Sequence, residues 1–309
     1  MTLLYYDPRF LDHDTGNHPE CAQRLRHIMA ELDARGLTNR CRRPTWQPAD
    51  RDRLTSLHDA EHVDSLEKLA ERGGGMIDPD TVVSPPSVEV AKLAVGAVCD
   101  AVNRVLSEEA SGALCLVRPP GHHALPERAM GFCLLNNIAL GAQTALDRGA
   151  GRVLIVDWDV HHGNGTQACF YDDPRVGYFS VHRWPFYPGT GSADETGTND
   201  GLGTTRNLPL AFGVSRSDYL AAVAGELEDF AARIKPELVL VSAGFDSHRA
   251  DPVGSLGLEV EDFQVLSTLV TGIADTHAQG RVVSVLEGGY NPPVLAECVA
   301  THLECLLER

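Results

Sequence analysis

The side chains best suited to chemistry in this sequence follow a short apolar run at residues 153–156. If the backbone stays extended after that run, side chains alternate, and Asp157, Asp159 and His161 project to the same side. Two carboxylates and an imidazole crowded together would repel one another unless a cation lay among them. The pattern therefore predicts a metal site, with a solvated acidic turn as the simpler alternative.

The position of this segment in the predicted fold favours a ligand site. Residues 153–156 are apolar and mostly β-branched, which is typical of a strand buried on both faces of a parallel sheet. The glycines of Gly163-Asn164-Gly165 then end the extended segment. In open α/β sheets, ligands bind beyond the carboxyl ends of the strands, where these side chains lie.

Three other predicted strands also lead into reactive residues: His122-His123, Asp246 and Tyr290. The carboxyl ends of parallel strands lie on one edge of a sheet, so these residues should converge. Asp159, His161 and Asp246 would supply one nitrogen and two oxygen ligands, which suits catalytic zinc because one coordination position stays open. Such an ion polarises a carbonyl and lowers the pKa of bound water, as amide hydrolysis requires. Taken alone, Asp246 could instead be a helix N-cap or a turn residue.

The adjacent histidines could act as proton carriers. In an extended segment His122 and His123 would point in opposite directions, but Pro119-Pro120-Gly121 favours a bend that lets both reach one site. A neutral imidazole near metal-bound water can act as a general base and later return the proton to the departing amine. Asp157 and Asn164 are the candidates to orient the two rings.

Tyr290 is a candidate for stabilising the transition state. It follows Gly288 and Gly289, so its segment could swing. Its phenol could then donate a hydrogen bond to the oxyanion that develops opposite the zinc. The alternative is a surface tyrosine in an ordinary turn.

Predicted strands and helices alternate along the chain, which indicates an α/β fold with a parallel sheet. No Pro/Ser-rich or charged linker and no repeat interrupts this alternation, so we expect one domain over residues 1–309. Residues 183–207 form the longest segment without a predicted element, and a loop of that length is usually functional. Four histidines in helical contexts are interpreted as solvated or structural: His27, His58, His62 and His302.

Composition excludes several classes of protein. A formal net charge of −17 argues against a broad nucleic-acid interface, although it would favour a cationic substrate. The eight cysteines include no Cys-x-x-Cys pair, which indicates reduced thiols and neither a disulfide scaffold nor a thiolate zinc site. No apolar segment reaches the length of a membrane span, so we expect no membrane partner and a cytoplasmic location.

Together these motifs resemble those of the zinc-dependent histone deacetylase family, nearest to its class II branch and to bacterial relatives that include acetylpolyamine amidohydrolases. The resemblance extends from His18-Pro19-Glu20 to Tyr290. The motifs that carry it occur in order along the chain: Arg118-Pro-Pro-Gly-His-His-Ala124, Gly131-Phe132, Asp157-Trp-Asp-Val-His-His-Gly-Asn-Gly-Thr-Gln167, Tyr187-Pro-Gly-Thr-Gly191, Ala243-Gly-Phe-Asp246 and Glu287-Gly-Gly-Tyr290.

The resemblance implies the arginase–deacetylase fold, in which helices flank a central eight-stranded parallel sheet. It implies one zinc ion on Asp159, His161 and Asp246. It implies catalytic roles for five residues: His122, His123, Asp157, Asn164 and Tyr290. The expected substrate-binding residues are Gly131, Phe132, Tyr187, Val253 and Gly289. A structural potassium ion would lie among Asp157, Asp159, His161, Ser180 and Val181.

Two positions bear on the expected activity. Class I members carry Asp where this chain has Asn164, whereas class II members resemble this chain, and His123 would then have a neutral orienting partner. Some class II members have His in place of Tyr290 and are poor deacetylases. Because Tyr290 is present, the resemblance predicts an active enzyme.

The expected activity is hydrolysis of an N-acetyl amide on a lysine side chain or a small amine, with release of acetate. A ureohydrolase on the same fold would need a bridged pair of manganese ions, and the sequence shows no evident second ligand set. An inactive acyl-lysine binding module would have lost Tyr290 or a metal ligand. The protein could also form a homo-oligomer.

The choice between acetyl-lysine and acetylpolyamine depends on the tunnel mouth. A tunnel selective for polyamines should carry a carboxylate there, because an unpaired cation beside apolar walls is costly. In the polyamine-selective class II relative an acidic residue follows an Asp-Pro dipeptide, whereas here Asp251-Pro252 is followed by Val253. We therefore predict a preference for acetyl-lysine-like substrates. Asp12, Asp14 or residues 183–207 could still supply the carboxylate.

Overall fold

The apolar runs of the sequence form a parallel sheet, as predicted, in a computed structural model that describes residues 1–308. The strands are β1 Thr2–Tyr5, β2 Gly75–Asp78, β3 Thr81–Val83, β4 Gly112–Cys115, β5 Val153–Asp157, β6 Val176–Arg183, β7 Thr205–Leu210, β8 Leu238–Ala243 and β9 Val282–Leu286. The α-helices are α1 Gln23–Ala34, α2 Arg51–Thr55, α3 Ala60–Glu71, α4 Ser87–Leu106, α5 Asn137–Asp147, α6 Asn164–Cys169, α7 Arg216–Ile234, α8 Val260–His277 and α9 Pro292–Leu307.

Seven parallel strands form the main sheet in the order β1-β4-β9-β8-β5-β6-β7, and β2 and β3 form a separate antiparallel hairpin. Every residue of β4, β5, β8 and β9 is buried, because helices cover these strands. Helices α4 and α5 pack together in one layer, while α1, α9, α8 and α7 pack in a row in another. The segments after β4, β5, β8 and β9 therefore meet at one edge of the sheet.

The resemblance implied eight strands, whereas the structure has seven in the main sheet. The missing strand is reduced to a single bridge beside β1, where Arg42 pairs with Leu3. The Arg42 N–H donates to Thr2 O at 3.1 Å, and the Leu4 N–H donates to Arg42 O at 2.9 Å. The next bond of this pattern would need an N–H from residue 44, which is proline, so the ladder ends there.

Strand β7 lies at the opposite edge of the sheet and was not predicted. Its residues 205–207 belong to the segment without predicted elements, and Pro209 is unusual inside a strand. The carbonyl oxygen of Thr204 accepts a hydrogen bond from a residue of β6, and that of Leu210 accepts one from the residue that follows β6, both at 2.8 Å. The backbone N–H and C=O groups of the even-numbered residues of β7 therefore face β6. Pro209 is odd-numbered, so its nitrogen points to the free edge.

The four histidines assigned to helical contexts agree with the structural or solvated interpretation, although His58 lies between α2 and α3. His58, His62 and His302 are buried and hydrogen-bonded, and His27 is exposed. All eight cysteines are free thiols. Within residues 1–308, no helix has the length and apolarity needed to cross a lipid bilayer.

Candidate metal centre and active site

Three buried side chains at the carboxyl edge of the sheet could hold a metal ion: Asp159, His161 and Asp246. Asp159 and His161 follow β5, and Asp246 follows β8, which neighbours β5. Their ligand atoms all lie within 4.8 Å of one another. The structure thus brings together the three residues that the sequence assigned to a metal.

The electrostatics of this group fit a cation. Asp246 Oδ2 is buried without a well-directed hydrogen bond, although His161 Nδ1 lies 3.2 Å away. Burial and the neighbouring Asp159 carboxylate raise the pKa of Asp246 above its usual value. A divalent cation would relieve this repulsion and give the unpartnered oxygen a ligand role.

Two glycines leave room for the carboxylates. A Cβ atom at Gly288 would collide with both Asp246 and Asp159, and one at Gly244 would collide with Asp159. The Gly288 N–H also donates to Asp159 Oδ2 at 2.8 Å. Sequence analysis treated Gly288 only as a source of mobility, but its missing side chain is what lets the two anions approach. The signal was the position of each glycine close to a reactive residue.

The backbone after β5 is bent, which corrects the prediction of an extended segment up to His161. The strand ends at Asp157, and bends follow at residues 159–161. Carboxylates replace the sheet as hydrogen-bond acceptors: Asp159 N–H donates to Asp157 Oδ1 at 3.1 Å, and His161 N–H donates to Asp159 Oδ1 at 2.9 Å. Asp159 and His161 converge because of these turns and not because of strand alternation.

The two adjacent histidines lie in a turn, as the preceding Pro-Pro-Gly segment predicted. Their ring centroids are 4.1 Å apart. His122 Nδ1 lies 3.0 Å from Asp157 Oδ2, and His123 Nδ1 lies 2.7 Å from Asn164 Oδ1. Because these oxygens accept hydrogen bonds, each Nδ1 carries a proton, and Nε2 of a neutral ring is left as the acceptor.

The surrounding charges shift the pKa values of the two histidines in opposite directions. Burial opposes a charge on His122, but the carboxylates of Asp157 and Asp159 outweigh it and raise its pKa to about 10. Burial, together with His122 and His161, holds the pKa of His123 well below its usual value. These surroundings favour a neutral ring at His123, which can accept a proton at Nε2, and a protonated ring at His122.

A cavity of about 160 Å³ reaches this group. Four of the five predicted substrate-binding residues line it: Gly131, Phe132, Tyr187 and Val253. His123, His161 and Tyr290 also line it. Gly289 is not among the lining residues, because its carbonyl is turned to Arg24, whose Nε donates to it at 2.6 Å.

Tyr290 is more firmly held than its two preceding glycines indicated. Its side chain packs edge-on against Phe132, with ring centroids 5.5 Å apart. The guanidinium of Arg24 lies 5.1 Å from the centre of the Tyr290 ring. The Tyr290 N–H also donates to Asp251 Oδ2 at 2.6 Å. The segment is therefore anchored through both its backbone and its ring.

Two buried arginines were given no role by sequence analysis, and one of them, Arg24, supports the Tyr290 segment. Arg24 and Arg118 both pair with Glu20, and all three side chains are fully buried. Arg24 also donates to the carbonyl oxygens of Glu287 and Gly289. The available signal was that Arg24 lies four residues before Ile28, on the apolar face of α1.

Asp80 and Phe186 also line the cavity without having been predicted. Asp80 lies in the turn of the β2–β3 hairpin, which the sequence did not predict. Phe186 stacks on His161 with ring centroids 5.2 Å apart. Asp12 and Asp14, considered as carboxylates for the tunnel mouth, line a different cavity.

The residues assigned to potassium lie next to one another on β5 and β6 and in the turn after β5. Asp157 is paired with Ser180 in the sheet, and Val181 follows Ser180. Ser180 Oγ lies 2.9 Å from His182 Nδ1. The geometry brings these segments together, and the ion itself stays a prediction.

Comparisons with known proteins agree with the resemblance. A family model described as the histone deacetylase domain matches residues 18–306. The histone deacetylase-like amidohydrolase of Pseudomonas aeruginosa is 38% identical over 93% of this chain and 76% of its own length. The polyamine deacetylase HDAC10 of Homo sapiens is 39% identical over 99% of this chain and 48% of its own length. The crystal structure of the HDA15 HD domain matches with a TM-score of 0.95 and 36% identity, over 100% of this chain and 88% of that one.

Proposed function

This chain belongs to the histone deacetylase family, and on that premise we propose that it is a zinc-dependent deacetylase that hydrolyses acetyl-lysine-type amides and releases acetate. We propose that residues 1–309 act as one catalytic domain. The observation that carries the proposal is one cavity lined by His123, His161 and Tyr290, with Asp159 and Asp246 beside His161.

We assign one zinc ion to Asp159, His161 and Asp246. One imidazole and two carboxylates suit a zinc site that keeps a position open, and the unpartnered oxygen of Asp246 supports the assignment. When bound, zinc would polarise the amide carbonyl and make water a stronger nucleophile.

The protein's own side chains would then move the protons. His123 accepts a proton from the attacking water at Nε2, while Asn164 holds the Nδ1–H. The Tyr290 hydroxyl donates to the oxygen that becomes negative as water adds to the carbonyl carbon. The proton passes to the amine nitrogen, the C–N bond breaks, and acetate and the free amine leave. His122, whose Nδ1 lies 3.0 Å from Asp157 Oδ2, would help to stabilise the negative charge.

A second candidate substrate class is favoured by Asp80. Val253 leaves its own part of the cavity apolar, but Asp80 places a carboxylate elsewhere on the same cavity. That carboxylate could pair with the distant ammonium of an acetylpolyamine. Acetylpolyamine hydrolysis is therefore the alternative to acetyl-lysine hydrolysis.

The test compares kcat/KM for an acetyl-lysine peptide and for N8-acetylspermidine in wild type, Val253→Glu and Asp80→Asn. We expect wild type to prefer the peptide and Val253→Glu to shift the ratio toward the polyamine. A wild type that prefers the polyamine by about tenfold, roughly 1.4 kcal/mol in transition-state binding, would refute the lysine assignment. If that preference is lost in Asp80→Asn, the polyamine alternative holds.

Metal analysis and turnover in the same preparation separate the remaining alternatives. A deacetylase should contain about one zinc per chain and release acetate. Two manganese ions and urea release would indicate a ureohydrolase, and binding of the peptide without turnover would indicate a binding module.

We also propose a structural potassium ion at Asp157, Asp159, His161, Ser180 and Val181. It should make thermal stability depend on potassium concentration at fixed ionic strength.

A further inference from the structure

Phe132, which lines the cavity, has an unusual backbone conformation. Its φ is +69°, and the φ of Gly131 is +56°. The two residues form a tight turn closed by Met130 and Cys133, whose N–H groups donate to each other's carbonyls at 3.2 and 2.9 Å. Left-handed φ suits glycine but costs an aromatic residue roughly 1–2 kcal/mol. Neighbouring groups must therefore hold Phe132 in place.

Gly131 cannot relax this turn by moving toward the site. A Cβ atom at Gly131 would lie 2.5 Å from His123 Cδ2, so the backbone already contacts the imidazole ring. The Phe132 ring is equally confined, since it packs edge-on against Tyr290 and against His18, the latter with ring centroids 4.5 Å apart. Any shift of Phe132 would change the cavity wall beside the proposed general base.

The contact that holds this turn from outside is the hydroxyl of Thr81, the first residue of β3. The Phe132 N–H donates to Thr81 Oγ1 at 3.0 Å. Thr81 Oγ1 in turn donates to Asp80 Oδ1 at 2.9 Å. A hydroxyl has one proton to donate and lone pairs to accept, so both bonds can be made at once. Thr81 is fully buried, so water does not compete for these bonds.

One buried hydroxyl thus connects two cavity-lining residues from different parts of the chain. Phe132 supplies an apolar wall and Asp80 supplies a carboxylate. Thr81 itself does not line the cavity and is not one of the metal-binding residues. We propose that Thr81 is a positioning residue that fixes the width and the charge of the substrate cavity by holding Phe132 and Asp80. The substrate effect, though not the holding of Phe132, rests on the proposed function.

The test uses Thr81→Val, which keeps the size and β-branching of the side chain but removes the hydroxyl, and Thr81→Ser, which restores it. Thr144→Val is the matched control, because Thr144 is a buried threonine whose hydroxyl bonds within α5 and to Cys99. Amide hydrogen exchange at Phe132, zinc content, kcat and KM for the acetyl-lysine peptide are measured in each protein.

In Thr81→Val we expect exchange at Phe132 to accelerate by roughly tenfold, the scale of one lost hydrogen bond. KM should rise by a similar factor while kcat and zinc content stay within about twofold, because the reacting groups keep their places. Thr81→Ser and Thr144→Val should behave as wild type. If Thr81→Val does not fold, Thr81→Ala replaces it.

Unchanged exchange at Phe132 in Thr81→Val would overturn the proposal. Faster exchange with an unchanged KM, or a fall in kcat alone, would overturn the role in substrate positioning. If wild type hydrolyses none of the acetylated substrates, the proposed function fails. The exchange rates would still decide whether Thr81 holds Phe132.

Discussion

At the scale of the single residue, the charge of Asp246 decides whether a metal is held. Asp246→Asn keeps the shape but removes the anion, so zinc content should fall from about one per chain to near zero, and turnover should be lost. Asp262→Asn is the control, because Asp262 is also buried but pairs with Arg216 away from the site. Zinc can be measured by atomic emission on dialysed protein. Full zinc in Asp246→Asn would mean that the ligand assignment is wrong.

Substitution of Tyr290 tests catalysis separately from metal binding. Tyr290→Phe removes one hydroxyl from the cavity, so kcat should fall by roughly 10²–10³-fold, the scale of one lost oxyanion donor. Zinc content should not change, because Tyr290 is not one of the metal-binding residues. Tyr171→Phe, a tyrosine that does not line the cavity, is the matched control. Steady-state kinetics with equal kcat for Tyr290→Phe and wild type would exclude this role.

At the scale of the element, the turn after β9 depends on the absence of a side chain at Gly288. Gly288→Ala would place a methyl group against the Asp159 and Asp246 carboxylates. We expect zinc affinity to fall by roughly 5- to 150-fold, since overpacking of a tight site typically costs roughly 1–3 kcal/mol. Gly225→Ala in α7, where a Cβ meets open space, should keep zinc and be neutral or slightly stabilising. A competition titration with a zinc chelator measures both, and equal affinities would contradict the steric argument.

The same elements show what the sequence could predict. Strand β5 and the reactive residues after it were predictable because both faces of the strand are buried and the apolar run is continuous. The bend at residues 159–161 was not, because it depends on hydrogen bonds to carboxylates that a strand pattern does not contain.

The missed elements share a different cause. Strand β7 and the β2–β3 hairpin are only partly buried, and β7 contains Pro209. Their formation depends on neighbouring segments more than on their own apolar pattern. Asp80 was missed as a cavity residue for this reason, because its place follows from the hairpin. Arg24 was missed because pairing with Glu20 makes a buried arginine acceptable on an apolar helix face.

At the scale of the whole molecule, buried neutral histidines make stability depend on pH. Burial lowers the pKa of His13, His58 and His302 to about 4, and that of His182 to about 3. In the unfolded chain these histidines have a pKa of about 6.5, so they become protonated as the pH falls below that value. The contribution of these neutral histidines to the free energy of unfolding is therefore present above pH 6.5 and is lost as the pH falls toward 4. The loss is up to about 1.4 kcal/mol per pH unit for each histidine.

His302→Gln tests this directly. This substitution should reduce the slope of the free energy of unfolding against pH, between pH 6.5 and pH 4, by the amount that corresponds to about one bound proton. His27→Gln, at an exposed helix position, should leave the slope unchanged. Urea titrations at several pH values give the slope. An identical slope in His302→Gln and wild type would show that His302 is not held neutral.

The proline near the end of β7 affects how separate molecules behave toward one another. An open parallel sheet is a template on which a strand of another molecule could add and begin an aggregate. At this edge the outward position of residue 209 has no N–H, so an added strand would lack one of the bonds of its ladder with β7. At the other edge, Pro44 acts differently: its nitrogen faces β1, so it ends the pairing beside β1 and keeps the edge segment short. An imino acid at one margin and a short edge segment at the other thus favour colloidal stability in a protein whose sheet does not close on itself.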